Sequence, residues 1–343
     1  MKRILFLLVG ILVSIVSLYF AFQGFDLGAL WDAMGRVQIP FFLLLIVPYI
    51  LTFMTKVWRW RTMFHPDESR VPTSLLFSAL MISYIPLPFR AGEVARAVVT
   101  SRRSGIPAPR VFSTILVEKV LDVLALLLLL GISLPFISLT SDMQQMQSSA
   151  ISLGVLVLAL ALVLLVFILK PDFALKIVHV VAARLPARLG PRIETATEHA
   201  LQGLAPLSNP SVALRLGLWS IATWSVNAVT VYLMLRAFNV DLLPFAATVL
   251  VVTSNLSMVI PAAPGSVGTF ELAVVTVLKL FGIEETRAQT FAIVYHFVGL
   301  VPVALLGVLA AIQQGAGMAA FRAEEATAET PVLVPAPTRD DQC

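Results

Sequence analysis

Arg90, Glu93 and Arg96 fall together in the stretch Tyr84-Ile-Pro-Leu-Pro-Phe-Arg-Ala-Gly-Glu-Val-Ala-Arg96, at the junction of two apolar runs. An arginine presents a rigid fork of donors suited to a phosphate or a carboxylate, and backbone N–H groups freed at a helix start add to such a pocket. Glu93 and Arg96 are three apart and share a helical face, while Arg90 sits in the non-helical lead-in shaped by Pro86, Pro88 and Gly92. Two readings are open: a phosphate pocket, or a carboxylate that neutralises an arginine and locks the turn. Further on, Glu118 and Asp122 lie one turn apart with Lys119 beside them. Unpaired, two such carboxylates repel each other, so partners in Arg90 or Arg96 are expected and would close a polar network. A third group surrounds Glu271, approached through Pro261, Pro264, Gly265 and Gly268. There the glycines free the backbone for a tight turn and the prolines remove donors that would need partners. Tyr295 and His296 are weaker candidates, explained equally well by a packed phenol and a hydrogen-bonded imidazole.

The setting makes these charges costly. The chain of 343 residues is 58% apolar and 13% charged, against roughly 25% charged in a soluble domain. Several charge-free windows have the length of a membrane span, more than the core of a soluble enzyme supplies. Its single cysteine, Cys343, excludes an internal disulfide framework and any CxxC redox or zinc pattern. His65, His179, His199 and His296 have no close ligand spacing, so neither a metal nor another cofactor is expected. The net charge of +4 fits basic loops on the cytoplasmic side of a membrane protein and leaves no basic domain for nucleic acid.

The elements that must position these residues follow from hydropathy and proline placement. Lys2 and Arg3 ahead of Ile4 to Phe22 predict a first span with a cytoplasmic N-terminus, because the run is long for a signal peptide and no clear cleavage signature follows. Gln23 to Gln38 is then a short external loop. Pro40 to Val57 returns, ending in Lys56, Trp58, Arg59, Trp60 and Arg61, which mark a cytoplasmic interface. From Pro72 an apolar helix is interrupted by Pro86 and Pro88 after roughly 14 residues. That is about 21 Å of helix, too short for a hydrocarbon core of about 30 Å. It pairs with an amphipathic piece ending at Ser101-Arg-Arg103, giving a re-entrant hairpin over about 72–104. Val111 to Leu134 crosses outward and stops at Pro135, Leu134 to Ser149 lies outside, and Ile151 to Leu169 returns to a basic cytoplasmic connection over 170–213. Leu214 to Leu235 crosses again, about 244–281 forms a second broken hairpin, and Phe291 to Ile312 makes the last crossing. Residues 316–343 are a disordered cytoplasmic tail.

The fold class expected is all-α and polytopic: about six full transmembrane helices plus two broken re-entrant hairpins, in one domain over 1–315. The first hairpin opens from the cytoplasm and the second from outside. The halves then form an inverted repeat whose tips approach near mid-membrane, where transporters place a central site. No phosphate loop, serine elbow or HExxH pattern occurs, so catalysis is not expected. Three functions remain: movement of a phosphate-containing lipid between leaflets without ATP hydrolysis, a non-transporting lipid-binding scaffold for a lipid-modifying enzyme, and glycosyl transfer from a lipid-linked donor with Glu93 or Asp122 as base. The last lacks the large extramembrane segments that such enzymes usually expose.

Together, Pro86-x-Pro-x-Arg90-x-Gly-Glu93-x-x-Arg96, Glu118-Lys-x-x-Asp122 and Pro261-x-x-Pro-Gly265-x-x-Gly-x-x-Glu271 resemble the lysylphosphatidylglycerol synthase transmembrane domain family, the flippase-like membrane region of bacterial MprF proteins, over about residues 5–315. The resemblance implies a multi-pass protein of the bacterial inner membrane that handles phospholipid or another phosphate-containing lipid, without the lysyltransferase domain. It also implies that Arg90, Glu93 and Arg96 shape a cytoplasmic-side cavity, that Glu118 and Asp122 brace it, and that Glu271 belongs to the opposing hairpin.

Overall fold

The computed structural model describes residues 2–87, 91–137, 209–260 and 262–315, with six single positions between 155 and 176. Pro88, Arg90 and Pro261 therefore lie outside the described residues, as do most of the predicted crossing at Ile151 to Leu169, most of the connection up to residue 208 and the tail 316–343. Helices α1 (Lys2–Ala21), α2 (Leu27–Gly35), α3 (Ile39–Leu44), α4 (Ile46–Thr62), α5 (Thr73–Ser83), α6 (Ala91–Ser104) and α7 (Ala108–Ile137) come first; α8 (Pro210–Ala237), α9 (Pro244–Ser257), α10 (Thr269–Leu280) and α11 (Glu285–Gln314) follow.

The protein is an all-α membrane protein. Three stretches among the described residues, Ile39–Thr62, Pro210–Ala237 and Glu285–Gln314, are long and apolar enough to cross a membrane. Their outer faces leave Leu218, Ile221, Leu305 and Leu309 exposed, as contact with lipid requires. α7 runs through Pro135 to Ile137, so that proline does not stop the helix; near the C-terminal end it removes one hydrogen bond and the turn persists. The segment expected as a loop between Gln23 and Gln38 holds α2, capped by Asp26, whose Oδ1 accepts from Gly28 N at 2.7 Å.

Packing ties the two halves together. α4 and α8 lie antiparallel: Trp58 meets Trp219, Arg59 meets Ser220, and Lys56 meets Trp224. α5 pairs with α6, and α9 with α10. Each pair also packs on the last helix of the other half, α5 on α11 and α9 on α7. Accordingly Val303 and Ala310 of α11 join the core around Trp60, Leu76 and Leu80, while Ala125 and Leu126 of α7 join the core around Leu235, Leu250 and Val274. Gly307 permits the first crossing-over, since a Cβ there would strike the Met81 carbonyl. One face of α1 carries Gly10, Ser14, Ser17 and Ala21, all buried, and packs on α10. Small side chains at that spacing let helices in a membrane approach closely.

The bases of the two interrupted pairs sit at opposite ends of the bundle. At the end where α5 begins, Asp67 pairs with Arg110 at 2.7 Å and Glu68 with Arg215 at 3.5 Å. At the other end, where α9 begins, Asn239 Nδ2 donates to the Arg36 carbonyl at 2.9 Å, and Gln289 Nε2 donates to the carbonyls of Ala21 and Gln23 at 3.0 Å. Between these ends the tips meet: a Cβ on Gly265 would stand 3.8 Å from Pro86 Cβ.

Candidate functional site

Three helices bring their charges to one place beside the first tip, and α8 adds Ser220 and Trp224. Helical spacing puts Lys56, Arg59 and Trp60 on one face of α4, Glu93 and Arg96 on one face of α6, and Glu118 and Asp122 on one face of α7. Arg96 is 1% exposed. Its guanidinium lies 3.6 Å from the Trp60 ring centroid, forms a close pair with Glu118, and stands 3.5 Å from Glu93. Glu93 in turn meets Lys119 Nζ at 2.7 Å. Arg59 is fully buried; it donates to Asp122 at 2.7 Å and to Ser220 Oγ at 3.3 Å. Asp122 also accepts from Trp224 Nε1 at 3.2 Å. A charge taken out of water is tolerated only when paired and hydrogen-bonded, which these contacts largely achieve. Arg59 Nε and Arg96 Nε remain buried without a hydrogen-bond partner.

Glu93, Arg96, Glu118, Lys119 and Asp122 are thus brought into one network, whereas Arg90 lies outside the described residues. One expectation needs correcting. Among the described residues Asp122 pairs with Arg59 and not with Arg96; sequence context assigns Arg59 to the interface along with Trp58 and Arg61. The missed signal is the spacing of Lys56, Arg59 and Trp60, which puts Arg59 on the same helix face as Lys56 although it stands in the last turn of α4 among the interfacial residues.

At the second tip the chemistry differs. Glu271 is the third residue of α10; its Oε2 accepts from Gly268 N at 2.6 Å, and its Oε1 lies 2.6 Å from His296 Nδ1. His296 Nε2 lies 2.9 Å from the Gly265 carbonyl oxygen. A carbonyl only accepts, so Nε2 carries a hydrogen, and one further proton is shared between Nδ1 and the carboxylate. The pair is net neutral whichever partner holds it. Phe270 stacks on the imidazole at 4.3 Å between centroids and fixes its plane. Gly268 has φ 95, and a Cβ there would come 2.5 Å from the Ser14 carbonyl oxygen of α1. Ser14 Oγ also accepts from Ala263 N at 2.8 Å. Pro264 and Gly265 form a short turn with Ser266. The Tyr295 ring packs on Phe270 at 5.1 Å between centroids, while its hydroxyl meets Ser254 Oγ at 3.4 Å. At the first tip Gly92 lets α6 approach α5, since a Cβ would lie 2.8 Å from the Ser83 carbonyl oxygen. Among the described residues no cluster of histidine, cysteine, aspartate or glutamate is placed to hold a metal ion.

Two interrupted helix pairs meeting tip to tip, beside ion pairs buried between membrane helices, define a polytopic all-α membrane protein. The chain belongs to the family described as "Lysylphosphatidylglycerol synthase TM region", which it matches over residues 7–307. It is thus a multi-pass membrane protein of a flippase-like family, and the match describes a membrane region rather than a catalytic domain. It is 25% identical to "Glycosyltransferase AglD" of Haloferax volcanii, across 84% of this chain and 51% of that protein. A "UPF0104 membrane protein" of Methanocaldococcus jannaschii is 23% identical, across 65% of this chain and 90% of that one. Another, from Methanothermobacter thermautotrophicus, is 24% identical across 64% and 66%. The match therefore spans about half the length of the Haloferax protein. No solved structure matches.

Proposed function

We propose that the protein moves a phosphate-containing lipid between leaflets of the bacterial inner membrane, without nucleotide hydrolysis, along the seam where the two tips meet. The observation that carries this reading is the ion network between α4, α6 and α7, beside which Lys56 donates to Tyr84 at the root of the first tip at 2.8 Å. Moving a bare charge through hydrocarbon costs at least about 2.5–3.5 kcal/mol. A polar seam lets the head group pass while the acyl chains stay in lipid. In this scheme Arg90 engages the phosphate, Arg96, Glu118 and Asp122 hold the cavity wall, and Glu93 tunes the release.

The halves α4 to α7 and α8 to α11 form an inverted repeat in this reading. α4 packs on its counterpart α8, and the contact of α5 with α11 has its counterpart in that of α9 with α7. With α1 and the segment 151–169, this makes about six full crossings and two re-entrant hairpins in one unit over 1–315, with both termini cytoplasmic. Reconstitution into vesicles with a head-group-labelled lipid tests it. Arg90→Ala or Glu93→Ala should abolish movement in folded, inserted protein; undiminished movement in both variants would sink the site assignment. The name of the Haloferax relative favours a second reading, use of a lipid-linked sugar. Consumption of such a donor by the purified protein would establish it in place of the first.

A further inference from the structure

The last helix, α11, is shared between the two cores of the bundle. Its first turns, with Ala288, Phe291 and Ala292, belong to the core around Leu235, Leu250 and Val274; its last turns, with Val303 and Ala310, belong to the core around Trp60, Leu76 and Leu80. His296 ties the second tip to the first of these stretches through Gly265 and Glu271. Gly307 seats the other stretch on α5, so closely that a Cβ would stand 2.4 Å from the Met81 carbonyl oxygen. Between these two anchors stand Gly299 and Pro302, inside the helix. Proline has no N–H for the carbonyl four residues back, here that of Val298, and its ring crowds that turn. Sharp bends in long helices collect at such residues. Both Gly299 and Pro302 are exposed, and a Cβ on Gly299 would meet no described atom outside its own turn within 4 Å, so no packing opposes a bend there.

α7 also passes from one core to the other, but without glycine or proline at the changeover. Val117 and Leu121 lie in one core, Ala125 and Leu126 in the other, and Asp122 between them is held by Arg59. The changeover in α11 is, moreover, the level at which the tips meet. A Cβ on Gly265 would stand 3.3 Å from Leu300 and 3.8 Å from Pro86. At the same level Tyr49 of α4 packs against both cores, and its Oη donates to the Gly299 carbonyl at 3.3 Å.

We propose that the Gly299–Pro302 turn of α11 is a hinge about which the two tips part, and that Tyr49 is the catch that holds them together. Bending there carries Gly265 and Glu271 with the first stretch of α11, while α5 stays with the last. The uninterrupted α7 keeps the cores docked meanwhile. The hinge needs no ligand; joined to the lipid-transport reading, it supplies the opening of the seam.

Spin labels on Val94→Cys in α6 and Val259→Cys in the second tip, both exposed positions, read the separation of the tips by pulsed electron paramagnetic resonance on the full-length chain in lipid nanodiscs. A Cys343→Ser background keeps the labels unique, since no other cysteine occurs. The native chain should give two distances. Pro302→Ala, which restores the helical donor, should leave one, and Gly299→Ala should narrow the distribution in the same sense. Tyr49→Phe should shift the populations toward the longer distance by about twofold or more, as loss of one hydrogen bond implies. Gly217→Ala in α8, equally free of contacts but away from the changeover, should alter nothing. A single distance in the native chain, two distances unaltered by Pro302→Ala, or equal narrowing by Gly217→Ala overturns the proposal. Movement is read without substrate, so the two readings fail separately. Tips that part in a protein that transfers no lipid refute transport alone, and transfer by a native chain with one fixed tip distance refutes the hinge alone.

Discussion

Around α5 and α6 the bundle buries Arg59, Arg96 and Glu118 and gathers Glu93, Lys119 and Asp122 beside them, whereas beside α9 the Glu271 of α10 meets His296 of α11 in one pair with no net charge. The two tips also differ in what holds them. α1 lies against the second: Ser14 takes Ala263 N, and Gly268 rests on the Ser14 backbone. His296 clasps both Gly265 and Glu271 from α11. At the first tip the close glycine contact is internal, Gly92 against Ser83 of its own pair. A charged wall faces one side of the seam and a neutral clasp closes the other. The comparison teaches that two similar proline breaks are set in different surroundings: one beside buried ion pairs, the other held against α1.

The largest effect should come from breaking the wall. Arg96→Ala strands Glu118 in an apolar interior and should cost about 3–5 kcal/mol, read as unfolding in detergent. Arg96→Met combined with Glu118→Leu should recover most of that stability, because the pair is removed together, yet should not recover lipid transfer. A silent Arg96→Ala would show that the wall is hydrated rather than buried.

Next come the glycines. Gly268→Ala places a Cβ against the Ser14 carbonyl at a left-handed φ and should cost about 2 kcal/mol or more. Gly92→Ala, at an ordinary helical φ, should cost less. The reverse order would mean that the first tip is the tighter one, and the comparison fails.

The clasp gives a smaller, sharper test. In Glu271→Gln the amide oxygen can still accept from Gly268 N and the amide N–H can donate to His296, so stability should fall by less than about 1 kcal/mol, with lipid transfer intact. Loss of transfer in a folded Glu271→Gln protein would instead make the shared proton part of the transport cycle. Smallest of all is the cap of α11. The Thr286 hydrogen bonds hold the Glu284 carboxyl below its ordinary range. A lowered folded-state value stabilises above the unfolded value and is lost as pH falls through the folded one. Glu284→Ala should therefore cost at most about 1 kcal/mol at neutral pH, and its difference from the native protein should vanish in strong acid.

Much of this was legible before folding. Pro86 and Pro264 stand at the two interruptions, as a missing N–H dictates locally, and Glu271 takes the helix start that its position suggests. The spacing of Glu93 with Arg96 and of Glu118 with Asp122 identified faces that do meet. What the spacing did not reveal was Arg59, hidden among interfacial tryptophans, or the small-residue face of α1, which is read only against α10. Tyr295 was equally ambiguous: its ring shares Phe270 with His296, but its hydroxyl turns to Ser254.

By itself, then, the sequence determined a chain of membrane helices, two places where they break, and which residues share a face. Hydropathy over a span, a lost backbone donor and a helical repeat are all local properties. Only the tertiary structure decided that Asp122 takes Arg59, that Lys56 lies among aromatic rings, and that the second tip rests on α1. Those outcomes depend on which helix, distant in the chain, packs against each face, and a face's periodicity carries no record of its partner.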